Sequence, residues 1–558
     1  MATPDSRRRS ASFSLAALAT AAALAGCASV SEPAITPAQT AQAQAACTAL
    51  QDMKIAASAI GKPSSGAVVQ SASFVPANAA DNPNGEYCAV KGVVLPVSAS
   101  APSLEFQVNL PTAWNGRALQ MGGGGYDGTL VTGLGAYAAQ PNGTPNALRQ
   151  GYVTLGSDGG HKGTGNFDGN FALNEEALLN YGQQSVKKTH DVALEIIRQR
   201  YGAAPRRFYF IGGSQGGHEA LDAAARYAAD YDGAIANYPA YNITMLQLAS
   251  LHVGKALYAN GGAGWMNPAK KTLLVNAVYA ACDGLDGAKD GIIGNVAACN
   301  VVFNIDKVKA ALRCVGGADN GDFCLSDAQI TAVRQIASPY DAGFAVAGQQ
   351  VFPRWPVLEG AVFSVSSFGA SRVPSNPPAT TDALLFSIGA AHTKYFATRN
   401  PSLDALRYEP ARYRARLQQL GSITDVTTVS LEAFRARGGK LILTHGTADD
   451  FISPYNTEDY YRRQVAAFGQ AGVDSFIRFY SVPGFGHGMG PYRLGYDGLA
   501  VLDNWVEKGQ APETIPSVDN NQNANRSRPM CRWPAWPVFT GASGASMNDA
   551  ANFSCRAS

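Results

Sequence analysis

The sequence predicts an α/β protein built on a largely parallel β-sheet, with a large insertion in the middle of the chain. Short apolar, β-prone runs end in glycine or acidic turns, and helical stretches stand between them. This alternation is typical of parallel strands joined by helices that cover both faces of the sheet. The alternation stops over residues 241–439 and resumes at residue 440. A chain of 558 residues is long enough for such a core and its insertion.

Six runs predict the strands of this sheet. An alanine-rich helical stretch, 218–229, follows the third of them. In chain order the runs are "RALQM" (117–121), "YVTLGSDGG" (152–160), "FYFIG" (208–212), "DGAIANYPA" (232–240), "KLILTHGTADD" (440–450) and "FIRFYSVPGFGHG" (476–488).

These runs divide the core into a first part, 46–240, and a second part, 440–558. The insertion between them, 241–439, carries four cysteines and many aromatic residues without strand–helix repetition. We therefore expect a lid domain on top of the sheet.

The first residues predict an export signal rather than part of the fold. Three arginines at 7–9 precede an apolar stretch that is too short to span a membrane comfortably, and Leu-Ala-Gly-Cys at 24–27 resembles a bacterial lipobox. We expect a signal peptide over 1–27, a lipid on Cys27 and a flexible tether over 28–45. The protein is then periplasmic or anchored to the outer membrane, and it meets a membrane only through this lipid. The alternative is an ordinary signal peptide that contains a cysteine, and a secreted protein.

The cysteine count agrees with export. Of nine cysteines, eight remain when Cys27 is set aside, and an even number in an oxidising compartment allows four disulfides. Spacing favours partners that are neighbours in sequence, although free buried thiols are the alternative. The predicted pairs are Cys47–Cys88, Cys282–Cys299, Cys314–Cys324 and Cys531–Cys555.

The charge balance argues against a nucleic-acid partner. The formal net charge is only +2, and the chain has no basic runs.

Four glycines surround Ser214, and Gly212 and Gly216 place it in a G-x-S-x-G pattern. Glycine-rich chains produce this pattern by chance, but here a predicted strand precedes it and a predicted helix follows it. In that setting the serine stands on a sharp strand-to-helix turn, the nucleophile elbow, where side chains two residues away would collide with neighbouring elements. The context predicts an α/β-hydrolase fold with Ser214 as the nucleophile.

A serine nucleophile needs a base to take its proton. His487 lies in a glycine loop after a predicted strand, late in the chain, where the order serine, acid, histidine requires the base. The acid that orients the histidine should follow the preceding strand, where Asp449 and Asp450 are adjacent candidates.

The oxyanion hole of such an enzyme needs two backbone N–H groups. One is expected from Gln215, the residue after the nucleophile. The other is expected from Gly125 or a neighbour in "MGGGGYDG", where small residues let the backbone approach a substrate. A plain glycine loop is the alternative.

From Cys47 to Cys555 the chain resembles the tannase and feruloyl esterase family, which includes terephthalate-monoester hydrolases. The resemblance rests on "WNGRALQMGGGGYDG", "SDGGH", "YFIGGSQGG", "YDGAIANYPAY", "CDGLDGAKDGII", "AFRARGGKLILTHGTADD", "DYYRR" and "VPGFGHGMG". It implies a triad of Ser214, Asp449 and His487, and an oxyanion hole formed by Gly125 and Gln215.

The resemblance also implies a structural calcium ion in the insertion. Its ligands would lie in "CDGLDGAKDGII", which combines hard oxygen donors with glycine turns, as Ca²⁺ prefers. The spacing is not that of an EF-hand, and a solvated Asp/Gly turn is the alternative. The implied ligands are the carboxylates of Asp283, Asp286 and Asp290 and the carbonyls of Ala288 and Ile292.

One departure from the family concerns the residues beside the triad. The family places a cysteine immediately before the serine and another immediately after the histidine, and bonds them to each other. Here those positions are Gly213 and Gly488. Catalysis does not require this bond, but its absence affects how firmly the two loops are tied.

The triad pattern predicts a serine hydrolase, and the resemblance implies a carboxylesterase for esters of aromatic carboxylic acids, of the feruloyl or galloyl type. A hydrolase of mono(2-hydroxyethyl) terephthalate is the alternative, and a peptidase or a non-catalytic binding protein with this fold is more remote. Arg372 and Arg399 could pair with a charged substrate, but neither matches a terephthalate-binding pattern. Aromatic residues of the insertion could contact a substrate ring or form its core: Phe352, Trp355, Phe363, Phe368 and Phe386.

Overall fold

A computed structural model describes residues 35–165 and 167–557, and its centre is a ten-stranded mixed sheet. The sheet order is β1-β2-β3-β4-β6-β5-β7-β8-β11-β12. The strands are β1 Lys54–Ile55, β2 Ala67–Val75, β3 Tyr87–Val94, β4 Leu104–Pro111, β5 Arg117–Met121, β6 Val153–Ser157, β7 Arg207–Gly213, β8 Gly233–Asn237, β9 Tyr340–Val346, β10 Gln349–Phe352, β11 Lys440–Gly446, β12 Ile477–Val482, β13 Leu494–Gly495, β14 Thr514–Asp519, β15 Ser527–Cys531, β16 Trp536–Phe539 and β17 Phe553–Arg556.

Helices pack on both faces of this sheet, and two buried apolar clusters lie between them and the strands. The helices are α1 Pro37–Thr48, α2 Glu175–Leu179, α3 Ser185–Tyr201, α4 Gln215–Ala225, α5 Ile243–Gly262, α6 Pro268–Cys282, α7 Val296–Val302, α8 Ile305–Leu312, α9 Asp327–Ile336, α10 Val365–Phe368, α11 Leu384–Ala391, α12 Arg414–Thr424, α13 Glu432–Ala436, α14 Pro454–Asp474 and α15 Gly498–Lys508.

The six predicted runs form β5, β6, β7, β8, β11 and β12, which are the parallel part of the sheet. The α/β-hydrolase fold predicted from them is confirmed. β8 is buried at every residue, as expected for a parallel strand covered on both faces. The predicted helix 218–229 corresponds to α4, which begins three residues earlier and ends at Ala225.

The flexible tether predicted for 28–45 is wrong for its second half, because α1 begins at Pro37. Thr36 and Gln39 form a capping box at its start, and Cys47 near its end is bonded to Cys88 of β3. The capping box and the disulfide stabilise the helix, although the composition of this segment is polar and of low complexity. The signal peptide, Cys27 and residues 28–34 lie outside the described residues.

The insertion lies between β8 and β11, which are neighbours in the sheet. It contains α5–α13 and the β9–β10 hairpin, packed around an apolar cluster that lies mostly in the insertion and includes some residues of the core, such as Tyr181 and Phe451. Its aromatic residues Phe352, Trp355, Phe363, Phe368 and Phe386 are all buried in that cluster. They are core residues rather than candidates for substrate contact.

The four predicted disulfides are confirmed, with the predicted pairing. Two of them lie in the insertion, one ties α1 to the sheet and one joins β15 to β17. Four disulfides indicate an exported protein. Within the described ranges, no helix combines the length and apolar character needed to cross a membrane.

Candidate active site

Ser214 stands between β7 and α4 in a backbone conformation that is strained for a residue with a side chain, φ 61° and ψ −121°. The neighbouring glycines make this turn possible. A Cβ on Gly212 would lie 2.3 Å from the carbonyl oxygen of Gly216, and one on Gly216 would lie 2.9 Å from the backbone of Gly122. Because backbone atoms cannot move aside, only glycine fits at either position. The turn therefore has the form of a nucleophile elbow.

Two successive hydrogen bonds connect the three predicted triad residues. The hydroxyl of Ser214 donates to Nε2 of His487, at 3.0 Å, and Nδ1 of His487 donates to Oδ2 of Asp449, also at 3.0 Å. Asp449 follows β11 and His487 follows β12, so parallel strands carry all three loops to the same edge of the sheet.

Asp449 is fully buried, and four groups donate to its carboxylate or lie against it. Its Oδ1 accepts the N–H groups of Phe451 and Ile452, each at 2.8 Å. Burial opposes ionisation, but the charge of His487 and the hydrogen bonds of His487 and His445 hold the pKa of Asp449 well below its usual range. The carboxylate therefore stays ionised beside the imidazole.

The other candidate acid, Asp450, occupies a different place. Its side chain lines the cavity in front of Ser214, and its Oδ2 is buried without a hydrogen-bond partner among the described residues. His487 therefore turns to Asp449 and not to its neighbour.

His445 is a contact of Asp449 that the sequence reasoning missed. It is fully buried, its Nδ1 accepts from the hydroxyl of Thr457 at 2.8 Å, and its Nε2 lies 3.0 Å from the carbonyl of Ile452 and 3.2 Å from Asp449 Oδ2. This tautomer holds the loop that carries Asp449. The signal available in the sequence was its position, four residues before Asp449 at the end of a predicted strand.

The two predicted oxyanion donors keep their backbone N–H groups free of partners within the described part of the chain. Gly125 lines the cavity in a left-handed conformation, φ 63°, and Gln215 is the first residue of α4. Among the described residues neither backbone N–H donates a hydrogen bond. The next amide, that of Gly216, donates to the carbonyl of Gly123 at 3.0 Å and so ties the glycine loop to α4. The first N–H groups of a helix have no partner within it, so the amide of Gln215 is available to a ligand.

Two buried carboxyl groups support the glycine loop from below. Glu219 of α4 accepts the N–H of Gly123 at 2.9 Å, and Asp127 lies beside it. Burial raises the pKa of both groups, and the charge of Glu219 raises that of Asp127 further. This arrangement favours one proton shared by the pair, which leaves Glu219 as the acceptor that holds the loop.

Tyr238 fills the space beside the triad where the family places its disulfide. A Cβ on Gly213 would lie 2.6 Å from the Tyr238 ring, and one on Gly488 would lie 3.6 Å from its hydroxyl. The same ring packs against His487, with 4.8 Å between ring centroids. A buried aromatic ring therefore contacts both loops that lack the covalent link.

Replacing Tyr238 by alanine is expected to lower the free energy of unfolding by about 3 kcal/mol, because a buried aromatic ring is lost. Ester hydrolysis should fall about tenfold, since His487 loses the surface that limits its motion. Tyr238→Phe is the matched control and should retain both properties, because burial and nearby charges, and no hydrogen bond among the described residues, act on the hydroxyl. Thermal unfolding and kcat measure the two effects. Equal losses in both variants would show that the hydroxyl, not the ring, matters.

A cavity of about 760 Å³ opens in front of Ser214 and His487. Its walls come from the glycine loop, from the loops after β11 and β12, and from the insertion. Most of its lining is apolar, including Phe167, Tyr137 and Phe451. Neither Arg372 nor Arg399 lines it.

The predicted calcium loop lies at the end of α6, beside β15. Asp283 accepts the N–H of Gly291 at 2.9 Å, Asp286 accepts that of Ala288 at 3.0 Å, and Asp290 accepts that of Ile292 at 3.0 Å. Burial, opposed by the Ala288 N–H and reinforced by the charge of Asp290, raises the pKa of Asp286 to about 6.

The donors of this loop are of the type that calcium prefers, because they are hard oxygens only. Burial and the charge of Asp290 raise the pKa of Asp283 and Asp286, a cost that a cation would reduce. Within the described residues, however, the three carboxylates do not converge on one point. Asp290 also pairs with the guanidinium of Arg528, which anchors the loop to β15.

The chain matches the family model "Tannase and feruloyl esterase" over residues 88–556. It is 36% identical over 522 residues to an uncharacterized esterase of Agrobacterium fabrum, covering 91% of this chain and 92% of that protein. It is 30% identical over 573 residues to mono(2-hydroxyethyl) terephthalate hydrolase of Piscinibacter sakaiensis, covering 92% of each chain.

Among solved structures, an esterase from Aspergillus oryzae superposes with a TM-score of 0.74 at 25% identity, covering 92% of this chain and 100% of the other. Feruloyl esterase B from the same fungus superposes with a TM-score of 0.73 at 22% identity and equal coverage, which shows the shared fold. On the family model and these relatives, the chain belongs to the tannase and feruloyl esterase family of esterases.

Proposed function

We propose that this protein is a serine carboxylesterase that hydrolyses esters of aromatic carboxylic acids through an acyl-enzyme. The observation that carries the proposal is the unbroken chain of hydrogen bonds from Ser214 through His487 to Asp449, at the floor of a largely apolar cavity. Family membership supports ester hydrolysis over peptide hydrolysis or a binding role.

In the acylation step, Oγ of Ser214 attacks the ester carbonyl carbon while Nε2 of His487 takes the hydroxyl proton. The carbonyl electron pair moves onto oxygen, where the N–H groups of Gly125 and Gln215 stabilise it. The bond to the alcohol then breaks, and His487 gives its proton to the leaving oxygen. Asp449 stabilises the imidazolium that exists between these transfers.

Deacylation repeats the sequence with water in place of serine. His487 takes a proton from the water, the hydroxide attacks the acyl carbon, and Ser214 leaves with the proton that His487 returns. No organic cofactor takes part in either step.

The cavity supports an aromatic acyl group. Its aromatic lining suits a ring, and its volume of about 760 Å³ leaves room for the ring together with the rest of an ester. Esters of the feruloyl or galloyl type are the first candidate. A terephthalate monoester is the second, because one relative bears the name of that hydrolase.

A substrate panel tests the proposal. The purified protein should be assayed with p-nitrophenyl acyl esters, methyl ferulate, methyl gallate, a terephthalate monoester and a set of peptides. We expect hydrolysis of the aromatic esters. A folded protein that hydrolyses none of them would refute the esterase assignment, and cleavage of peptides alone would identify a peptidase.

We further propose that the loop containing Asp283, Asp286 and Asp290 binds a structural calcium ion, with carbonyls of Ala288 and Ile292 as additional ligands. Chelation by EGTA is expected to lower the melting temperature by about 5 °C, because an ion that binds only the folded state stabilises it. Asp283→Asn keeps the acceptor for Gly291 but removes a charge, so its melting temperature should respond little to EGTA.

Asp306 offers a control, because it is an exposed aspartate on α8, outside the loop, and Asp306→Asn should keep the full response. If EGTA leaves the melting curve of the wild-type protein unchanged, the calcium site does not exist.

We also propose that Cys27 carries a lipid. The lipobox-like residues 24–27 support this assignment. Palmitate should label the wild-type protein and not Cys27→Ser, and processing should be sensitive to globomycin. Absence of label from both would identify an ordinary signal peptide.

A further inference from the structure

The cavity in front of Ser214 is acidic. Among the described residues that line it, the ionisable groups other than tyrosines are His487, Asp127 and Asp450, and no lysine or arginine is present. A carboxylate on a bound substrate would therefore meet no cation, and it would face the like charge of Asp450. A neutral substrate avoids this cost.

Two acids of this cavity have a buried carboxylate oxygen without a hydrogen-bond partner in the described part of the chain, Oδ1 of Asp127 and Oδ2 of Asp450. Asp127 lies beside Glu219 beneath the glycine loop, where burial and the charge of Glu219 raise its pKa well above the usual range, so it holds a proton. Asp450 has no such partner and is the acid left to accept a hydrogen bond from a ligand. An unpartnered buried carboxylate oxygen is costly unless a ligand supplies a donor.

The surroundings of Asp450 favour a hydroxyl donor. At the start of α10, Ser364 and Ser367 place hydroxyls near the carboxylate. Burial, opposed by these hydroxyls, raises the pKa of Asp450 to about 6, so the group is mainly ionised at pH 7 and accepts hydrogen bonds. An aromatic ring against Phe451, the next residue, would bring a ring substituent towards this oxygen.

We propose that Asp450 is a specificity residue that accepts a hydrogen bond from a hydroxyl group of the substrate, so that the enzyme selects neutral hydroxylated aromatic esters over esters with a second carboxylate. The inference rests on the esterase function proposed above. It assigns the cavity to hydroxylated acids, such as galloyl and hydroxycinnamoyl groups, rather than to terephthalate.

Matched esters measure this selectivity. Methyl gallate and methyl benzoate differ only in ring hydroxyls, as methyl ferulate and methyl cinnamate do in ring substituents. 2-Hydroxyethyl benzoate carries its hydroxyl on the alcohol instead, and monomethyl terephthalate carries the second carboxylate. The gallate–benzoate and ferulate–cinnamate pairs test a hydroxyl on the acyl group, and 2-hydroxyethyl benzoate tests a hydroxyl on the leaving alcohol.

In wild-type protein at pH 7.5 we expect kcat/KM to be higher for at least one hydroxylated ester than for its partner, and lowest for monomethyl terephthalate. In Asp450→Asn the preference for the hydroxylated ester should fall about 10- to 100-fold, the range for a hydrogen bond to a charged group. Hydrolysis of monomethyl terephthalate should rise relative to methyl benzoate. Asp459→Asn, a half-exposed carboxylate on α14, is the control and should change neither ratio.

The wild-type protein provides a second readout that needs no variant. Because the pKa of Asp450 is about 6, the preference for hydroxylated esters should decline as the pH falls from 7.5 to 5 and the carboxylate takes up a proton. The charged groups that face Asp450 are Asp449 and His487. Both act on every ester alike, so their effects cancel in the ratio.

Selectivity ratios that Asp450→Asn and pH both leave unchanged would overturn the proposal, as would rapid hydrolysis of monomethyl terephthalate by the wild-type protein. Wild-type protein that hydrolyses none of the esters would instead refute the proposed esterase function. The two failures are therefore distinguishable.

Discussion

Replacing Ser214 by alanine is expected to lower kcat/KM at least about 10⁴-fold for every ester that the wild-type protein hydrolyses. The hydroxyl is the only group in the cavity that hydrogen-bonds to Nε2 of His487, among the described residues, and without it no acyl-enzyme forms. Residual turnover would come from water activated by His487 in the same site. The fold should be unaffected, because the glycine contacts that shape the turn involve backbone atoms only.

Steady-state kinetics with methyl ferulate and methyl gallate, together with thermal unfolding, test this prediction. Ser422→Ala, on the exposed face of α12, is the control and should retain wild-type values in both measurements. A Ser214→Ala protein with full activity would show that another residue is the nucleophile. The accompanying assignments of His487 and Asp449 would then also be wrong.

Replacing Asp449 by asparagine is expected to lower kcat/KM about 10³- to 10⁴-fold, equally for all esters. The amide cannot stabilise the imidazolium, and its NH₂ group can donate to Nδ1 of His487, which favours the wrong tautomer. Asp449 also accepts the N–H groups of Phe451 and Ile452 through Oδ1, an arrangement that an amide oxygen preserves. The loop should therefore survive the substitution while the proton transfer fails.

The decisive measurement is the comparison of substrates. Asp449→Asn should reduce kcat for every ester by a similar factor, because orientation of His487 is common to all reactions. Asp459→Asn makes the same chemical change on a half-exposed side chain that pairs with Arg463, and it should leave kcat unaltered. A loss confined to hydroxylated esters would instead assign Asp449 to substrate binding.

The parallel strands were predictable because their signal is local. Each of the six runs is apolar and ends in a turn signal, and burial on both faces demands that pattern wherever such a strand lies. The antiparallel strands β1–β4 and the small sheets β13–β15 and β16–β17 escaped notice. β14 alternates between buried and exposed residues, and β2 has several partly exposed ones, so neither is a continuous apolar run. β4 is buried at nearly every residue, but it includes the polar residues Gln107 and Asn109. Proline in β14, β15 and β16 weakens the strand signal further.

Local sequence patterns also identified the residues that form hydrogen bonds at Ser214, but not the residues that pack against or hydrogen-bond to them. The elbow glycines have a fixed spacing around the serine, because a side chain at either position would collide with backbone atoms near the same turn. The positions of Tyr238 and His445 follow from no such local spacing. Tyr238 matters because its ring lies near both Gly213, at the end of β7, and Gly488, in the loop after β12, which are far apart in the chain. The choice between Asp449 and Asp450 likewise depends on which carboxylate faces His487.

By itself, the sequence determined the fold class, the family, the cysteine pairing and the positions of serine, acid and histidine along the chain. These properties follow from short-range spacing: strand periodicity, turn glycines and loop lengths. The family resemblance had already implied Asp449 as the acid, although spacing alone left Asp450 open. Only the tertiary structure decided which side chain fills the space of the missing disulfide, and that the cavity holds acids without a cation among its described lining residues. Those properties depend on the directions of side chains from distant segments, and packing of the whole chain sets such directions.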